Sequence, residues 1–491
     1  MTTNRHARIA SNQLRSVILL VLCFLLFSEA AHAAWVSGKF EVYVFDVGQA
    51  DSQLIVSPTG KTILIDAGEK NWNSGSNADL IATKIRQVMG SSFNHLDYIA
   101  ITHLHADHIG TAGFTGQTGY GGIWKLIERH GFTVGKLIDR NSGKWVDSNH
   151  DGVCDPNTEI EWINVGTTSG TGGKWLCYVT DPANATKFHR ETAIVGSTTQ
   201  INLGPSVTVK IIQSDANGVM MSDHTTLVEG DHHGESLPPS ENDYSITLKL
   251  TFRNLNYITG GDTDGEYTMS SYGYRYNDVE SVIAPSIGKV EVLKINHHGS
   301  SHSSNQTYIN TLQPAVSLIS CGANSYGHPD QAVLDRLLTN GKVFITGTCD
   351  ISRNYGSSVI VNGDIVVSSA DGSNYSVNGT AFVAGSIAPS STDTISPMVT
   401  NLKVLVTPKS FATRSVKVTS FTATDPNDAV KGYKITEKLI KPSATATGWR
   451  TTPQRSYTIR SLSTRALYGW VKDAAGNVSE GRQAEVWFDQ Q

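Results

Sequence analysis

Beyond residue 27 the chain has no apolar run long enough to cross a bilayer as a helix, which takes about 20 residues. The body is therefore expected outside the membrane. Cysteine is scarce, with five in 491 residues and none spaced as a CxxC pair. That excludes a thiolate zinc cluster and leaves histidine and carboxylate as the metal-capable side chains. There is also no surplus of positive charge: the net is −5, which argues against a generic DNA-coating protein. Nothing in the sequence suggests a flavin module.

What is present begins with a leader. Arg5, Arg8 and Arg15 precede an eleven-residue apolar run, Val17 to Phe27, and Ala31-His32-Ala33 supplies small residues where a signal peptidase reads. This pattern predicts a signal peptide over 1–33, cleaved before Ala34, and an exported protein, periplasmic or extracellular. Cys23 leaves with it. In an oxidising compartment the remaining Cys154, Cys177, Cys321 and Cys349 suggest up to two disulfides, with Cys154–Cys177 and Cys321–Cys349 favoured by proximity. Charge is uneven. Residues 395–491 hold 14 Lys/Arg against 7 Asp/Glu, while residues 34–394 carry −14. Such a basic tail suits contact with an anionic cell surface or a nucleic acid.

Periodicity predicts strands over 40–45, 52–56 and 62–65, then a helix over 78–89 with Asn77 as its cap, then a strand over 98–102. The stretch from about 115 to 240 is irregular and rich in Gly, Thr, Asp and Asn, and reads as a set of insertions. Strand–helix alternation resumes with strands at 245–252, 256–259, 290–295 and 315–319, a helix at 331–338, and strands at 343–345 and 359–366. Residues 34–382 thus read as a mixed α/β domain. Residues 383–397 read as a linker, and 398–491 as a small all-β sandwich with strands at 401–406, 415–423, 432–440, 456–461 and 466–472. Its ending, from Leu467 to Ser479, resembles the last hairpin of immunoglobulin-like or fibronectin type III-like modules.

Within the irregular stretch, residues 147–158 offer oxygen donors from Asp147, Asn149, Asp151 and Asp155, a glycine at the sixth position and the Val153 carbonyl. That is a calcium-loop arrangement. Thr158 replaces the usual bidentate glutamate, and Glu159 follows one residue on. The loop resembles the DxNxDGxCD calcium repeats of secreted proteins, and structural Ca²⁺ is the expectation.

The strongest signal is His103-Leu104-His105-Ala106-Asp107-His108, directly after an apolar run. Four metal-capable side chains in six residues suit a divalent transition metal, zinc first, with Mn²⁺ or iron as substitutes. His103 and His105 point the same way by strand alternation, and Asp107 and His108 lie past the bend. Each pair would serve one of two adjacent ions. Asp66, in Ile65-Asp66-Ala67-Gly68, and Asp262, after Gly260-Gly261, each end a strand. His297 and His298 end another. A lone strand-end aspartate is usually a turn former; beside HxHxDH a functional role becomes the better reading.

These residues carry a resemblance to the metallo-β-lactamase-fold hydrolases, and within them to the soluble domain of the ComEC-type competence protein. The matching pieces run in family order: 45–52, 65–68, 102–110, 242–245, 261–262, 293–300 and 326–329. The resemblance implies a four-layer αβ/βα sandwich with the site at one end of its sheets. It implies that His103 and His105 bind one ion, Asp107 and His108 the second, and that Asp262 bridges. His297 is taken as the last ligand, with His298 or His328 as replacements for it or as groups that position substrate. Asp66 would orient a ligand imidazole, and Asp107 would also steer the attacking water. The family's third-motif histidine is absent; Asn242 and Ser245 stand there, so one of the two zinc ions would be weakly held. His224, His232 and His233 are read as surface residues.

Two cations lower the pKa of a shared water, so hydrolysis by metal-activated water is the mechanism this residue set implies. ComEC-like domains point to phosphodiesters, DNA first, and the Gly-Asp and Asn-His-His segments also resemble secreted phosphorylcholine esterases. Hydrolysis of a lactone, thioester or β-lactam is the alternative within the fold. A non-catalytic surface-binding protein is the alternative outside it.

Overall fold

The computed structural model describes residues 34–69, 76–111, 121–385, 396–405, 415–425, 430–444, 446–460, 466–473 and 477–486. The expected leader, 1–33, and residues 386–395 of the expected linker lie outside them.

Short, unbroken apolar strands make two sheets. The first has nine strands in the order Thr380–Val383, Asn374–Val377, Ile365–Ser369, Phe40–Val44, Gln53–Val56, Thr62–Ile65, His95–Ala100, Thr133–Asp139 and His189–Thr192. The second has seven: Val359–Ile360, Lys342–Ile345, Val316–Ile319, Val292–Lys294, Leu255–Thr259, Thr247–Phe252 and Val207–Gln213. Alternation along each strand sends side chains to opposite faces. Leu54 and Leu64 meet helices Ser76–Met89 and Gly170–Thr180 in one core, which also holds Ile81, Ile85, Trp175 and Leu176. Ile55 and Ile63, one residue away, pack between the sheets against Leu248, Leu250, Tyr257 and Leu318. Across the second sheet, Ile258, Leu293 and Ile319 meet helices Val279–Ile287, Gln306–Leu312 and Gln331–Asn340 through Ile283, Ile309 and Leu334. The layer order is helix, sheet, sheet, helix. This is the four-layer αβ/βα sandwich that the sequence resemblance implies. Both faces of each sheet are covered, which is why its strands read as apolar runs rather than as strict alternation.

Three sequence expectations need correction. The irregular stretch from 115 to 240 is not all insertion: Thr133–Asp139 and His189–Thr192 complete the first sheet, and Val207–Gln213 ends the second. Their apolar residues are diluted by polar edge positions, so composition masked their strand period. The strand expected over 359–366 is two, Val359–Ile360 in one sheet and Ile365–Ser369 in the other. Asn362 at φ 51° and the adjoining Gly363 turn the chain across the sandwich there. Asn77 does not cap its helix. Its amide donates to the carbonyls of Val47 and Gly68, and the Glu69 carboxylate instead accepts the first helical N–H groups, from Asn77 and Ala78.

The two disulfides join Cys154 to Cys177 and Cys321 to Cys349, each with 5.7 Å between Cα atoms. The first ties the 147–159 loop to helix Gly170–Thr180. The C-terminal strands form two three-stranded sheets, Met398–Leu405, Ser415–Thr424 and Ser456–Thr458 in one, Gly432–Thr436, Ala466–Lys472 and Arg482–Glu485 in the other. They enclose Val399, Leu402, Phe421, Ile435, Leu467 and Val471.

Under the second sheet lies a buried carboxyl, Glu280, which accepts from the Asn296 amide and from the backbone N–H groups of Ser304 and Asn305. Burial outweighs these bonds and pushes its pKa up to about 7. A raised carboxyl contributes stability below its ordinary value and loses it as the pH rises through its folded value. The unfolding free energy of the wild type relative to Glu280→Gln is therefore expected to fall as the pH goes from about 4.5 to 7. Urea melts across that range check it; a gap that stays constant with pH contradicts it.

Candidate metal centre

The parallel pairing in each sheet decides where the polar side chains go. Thr62–Ile65 runs parallel to His95–Ala100, and Leu255–Thr259, Val292–Lys294 and Val316–Ile319 run parallel to one another. Their C-terminal ends emerge together. Asp66, the 102–108 segment, Asp262, the His297–His298 pair and the loop carrying His328 follow from those five ends in turn.

Glycines allow the segments to touch. A Cβ on Gly68 would lie 1.6 Å from the Asp107 carbonyl oxygen, and one on Gly261, at φ +55°, would lie 2.6 Å from the Thr102 side chain. Backbone bonds then clamp the cluster: Ala67 N–H donates to the His108 carbonyl, Glu69 N–H to Ala106, and Asp51 N–H to Asp107, at 2.7–2.9 Å. Beneath it the buried Lys294 ammonium donates to the Asp51 carboxylate at 2.7 Å, joining the two sheets.

Asp107, His108, Asp262 and His298 each offer a ligand atom, all within 4.8 Å of one another. His108 Nε2 lies 3.1 Å from Asp262 Oδ1, and His298 Nε2 lies 3.6 Å from Asp107 Oδ2. His108 Nε2, Asp262 Oδ1 and His298 Nε2 are all buried and all lack a hydrogen-bond partner. Three orphaned buried ligand atoms at one point are costly without a cation between them. The residues fit a divalent metal.

The other ring nitrogens are anchored. Asp66, held at φ 59°, accepts from the Thr102 backbone N–H and hydroxyl, and its Oδ2 lies 2.8 Å from His108 Nδ1. His298 Nδ1 lies 2.7 Å from the Ser320 carbonyl oxygen. Asp66 therefore stands where it can orient an imidazole. The sequence expectation took His297 as the last ligand with His298 as its replacement; in the structure it is His298 that gathers with Asp107, His108 and Asp262, and both histidines sit in the left-handed region.

On the other side of Asp262 the set is more open. His103 Nε2 lies 3.0 Å from His105 Nδ1 and 4.0 Å from Asp262 Oδ2. His328 stands above, its ring centre 5.2 Å from that of His297.

Burial and mutual charge set the protonation of the cluster. Burial pushes the Asp262 carboxyl up, but His108, His297 and His298 outweigh it and hold it well below the carboxylate range. Asp107 behaves likewise, held down by the nearby imidazoles of His298 and His108. Burial would lower His108, but Asp262 and Asp66 raise it well above the imidazole range. His103 is driven well below that range by burial, then by His108 and His105, and His328 is pushed down to about 3 by burial and by His297 and His298. The centre opens to a cleft of about 1050 Å³, lined also by Gln49, Ser169, Lys174, Asn324 and Tyr326.

Sequence reasoning missed the pair that holds the HxH turn. Arg140, fully buried, donates to both Glu241 carboxylate oxygens at 2.8 and 2.5 Å, and Glu241 Oε1 also accepts the Leu104 N–H. The 101 residues between the partners leave no local signal. It also missed Asp264, whose Oδ1 lies 3.2 Å from His297 Nδ1. The D-x-D spacing from Asp262 was a readable hint.

Of the calcium-loop residues, Asp147 and Asp151 come together with Glu159 within 4.8 Å. Asn149 Oδ1 accepts the Asp151 N–H, and the Val153 N–H donates to Asp151. Asp155 turns away to Asn157 and Thr158. His224 and His233 are exposed, and His232 is half-buried against Glu235.

No family model matches the chain. It is 24% identical over 330 residues to ComE operon protein 3 of Bacillus subtilis, covering 65% of this chain and 33% of that protein. It is also 23% identical over 322 residues to Recombination protein 2 of Haemophilus influenzae, covering 65% of this chain and 29% of that protein. It thus spans about a third of the length of these curated relatives. A solved structure of Zn²⁺-bound PqqB from Methylobacterium extorquens covers 62% of this chain and 97% of its own, at 10% identity and a TM-score of 0.33.

Arg140→Ala would leave Glu241 buried without its countercharge. The expected cost is about 3–5 kcal/mol of unfolding free energy, measured by urea denaturation of the metal-free protein. A loss below about 1 kcal/mol contradicts this role.

Proposed function

We propose that the chain is an exported metal-dependent hydrolase that cleaves phosphodiesters, DNA first among them, at a centre for two divalent cations. The observation that carries this reading is the convergence of His108 Nε2, Asp262 Oδ1 and His298 Nε2, buried and unpartnered, at the floor of an open cleft. Asp107, His108, Asp262 and His298 would hold one cation; His103, His105 and Asp262 would contribute to the other. Bound there, zinc would supply Lewis acidity, which acidifies water and stabilises charge developing on a phosphoryl group.

The rest follows from this chain's own groups. The Asp107 side chain is one-third exposed to the cleft and is held ionised, so it can orient a water by accepting its hydrogen bond. Asp66 and the Ser320 carbonyl fix the rings of His108 and His298. The His328 ring, kept neutral, offers a hydrogen-bonding imidazole beside the reacting group. Lys174 and the exposed Tyr326 flank the cleft and suit an anionic chain bearing flat bases. The relatives' names, tied to competence and recombination, favour DNA over other phosphodiesters.

Export is supported by the leader pattern and by the two disulfides, which belong to an oxidising compartment. The C-terminal sandwich reads as an immunoglobulin-like module whose net charge of +7 suits an anionic surface.

The purified protein is expected to carry near-stoichiometric transition metal and to hydrolyse bis-(p-nitrophenyl) phosphate. Chelation should abolish turnover and added zinc restore it. His108→Ala should lower kcat/KM by at least about 10³-fold, equivalent to about 4 kcal/mol. A protein with neither metal nor turnover overturns the proposal. A panel of DNA, RNA, phosphorylcholine esters, lactones and nitrocefin decides the substrate; preference for a lactone or nitrocefin would replace the phosphodiester assignment.

A further inference from the structure

The two-cation reading leaves one set of ligands short. His103, His105 and Asp262 make three, and the third-motif position that would supply a fourth carries Asn242 and Ser245. His297, displaced from the compact set by His298, lies within reach. We propose that His297, aligned by Asp264, supplies that ligand, so that two adjacent histidines serve two different cations. This rests on the two-cation reading.

The bridging carboxylate divides the imidazoles. Asp262 Oδ1 faces His108 Nε2 at 3.1 Å and His298 Nε2 at 4.0 Å. Its other oxygen, Oδ2, faces His103 Nε2 at 4.0 Å and His297 Nε2 at 3.7 Å. Each oxygen thus addresses one histidine from the HxHxDH segment and one from the His-His pair. The backbone explains how neighbours can do this. His297 and His298 both hold left-handed conformations, at φ 49° and 51°, where residues other than glycine are strained.

The outer contacts repeat the same arrangement. Asp66 Oδ2 lies 2.8 Å from His108 Nδ1, and Asp264 Oδ1 lies 3.2 Å from His297 Nδ1. Both carboxylates are fully buried. A carboxylate behind an imidazole selects the tautomer that leaves Nε2 free for a cation and fixes the ring plane. Asn242, at the position of the missing histidine, places its amide nitrogen 3.2 Å from His297 Nδ1. Asp264 is a positioning residue; His297 is the ligand.

The test is Co²⁺ titration of the metal-free full-length protein, read by metal content and by the visible Co²⁺ spectrum, with thermal melts of each metal-free variant. Wild type is expected to bind two Co²⁺ per chain. His297→Ala should bind one, keeping the spectrum of the site built on Asp107 and His108, whereas His298→Ala should lose that spectrum. Asp264→Ala should weaken one binding step by about 10- to 100-fold and leave the other unchanged, and Asp264→Asn should recover most of the loss. Two ions bound by His297→Ala with both affinities intact would overturn the assignment of His297. Equal weakening of both steps in Asp264→Ala, without recovery in Asp264→Asn, would reduce Asp264 to a structural role and overturn its part. A single ion in the wild type overturns the two-cation reading itself.

Discussion

The structure is organised around the cost of burying ionisable groups in the seam where two sheets meet. Asp66, His103, His108, Asp262, Asp264 and His298 are each at most 2% exposed. An isolated charge at such a depth costs several kcal/mol, so every one of them must face a countercharge, a hydrogen bond or an ion. The surroundings answer this group by group. Asp66 meets His108, Asp264 meets His297, and Lys294 meets Asp51 just below. Arg140 compensates Glu241, which in turn holds the HxH turn through Leu104. What these pairs leave over is the convergence of unpartnered atoms at Asp262, and there a cation is the economical countercharge.

The same constraint explains the shape of the loops. Backbone of the 66–69 segment hydrogen-bonds directly to the 106–108 segment, with a glycine wherever a side chain would collide. Three of the thirteen non-glycine residues with positive φ among the described residues, Asp66, His297 and His298, stand at the site. Strain of that kind persists only where the surroundings over-determine it, and the sheet ends, the clamps and the disulfide-tied chain from Cys321 supply that determination.

Legibility in the sequence followed the range of the interaction. The HxHxDH segment, the strand-end aspartates and the two disulfides were readable because each depends on residues close in the chain. So were the central strands, whose apolar runs report burial on both faces. Thr133–Asp139 and Val207–Gln213 were hidden because polar residues interrupt their runs at sheet positions near an edge. Arg140–Glu241 was hidden because 101 residues separate partners that meet only after both sheets form.

The sequence by itself determined which chemistry the chain can hold: imidazoles and carboxylates at strand ends, without thiolates, at spacings that suit divalent cations. It also determined a mixed α/β body, since hydrophobic period is a local property, whereas the layer order was implied only by the resemblance. The tertiary structure alone decided how those groups are shared. Side-chain direction at His297 and His298 depends on a backbone conformation that neither residue favours. That conformation is accompanied by the His297 N–H bond to the Gly261 carbonyl and the contact of His298 Nδ1 with the Ser320 carbonyl, partners far away in the chain, and so the division of the two rings between the oxygens of Asp262 could not be read from their order in the chain.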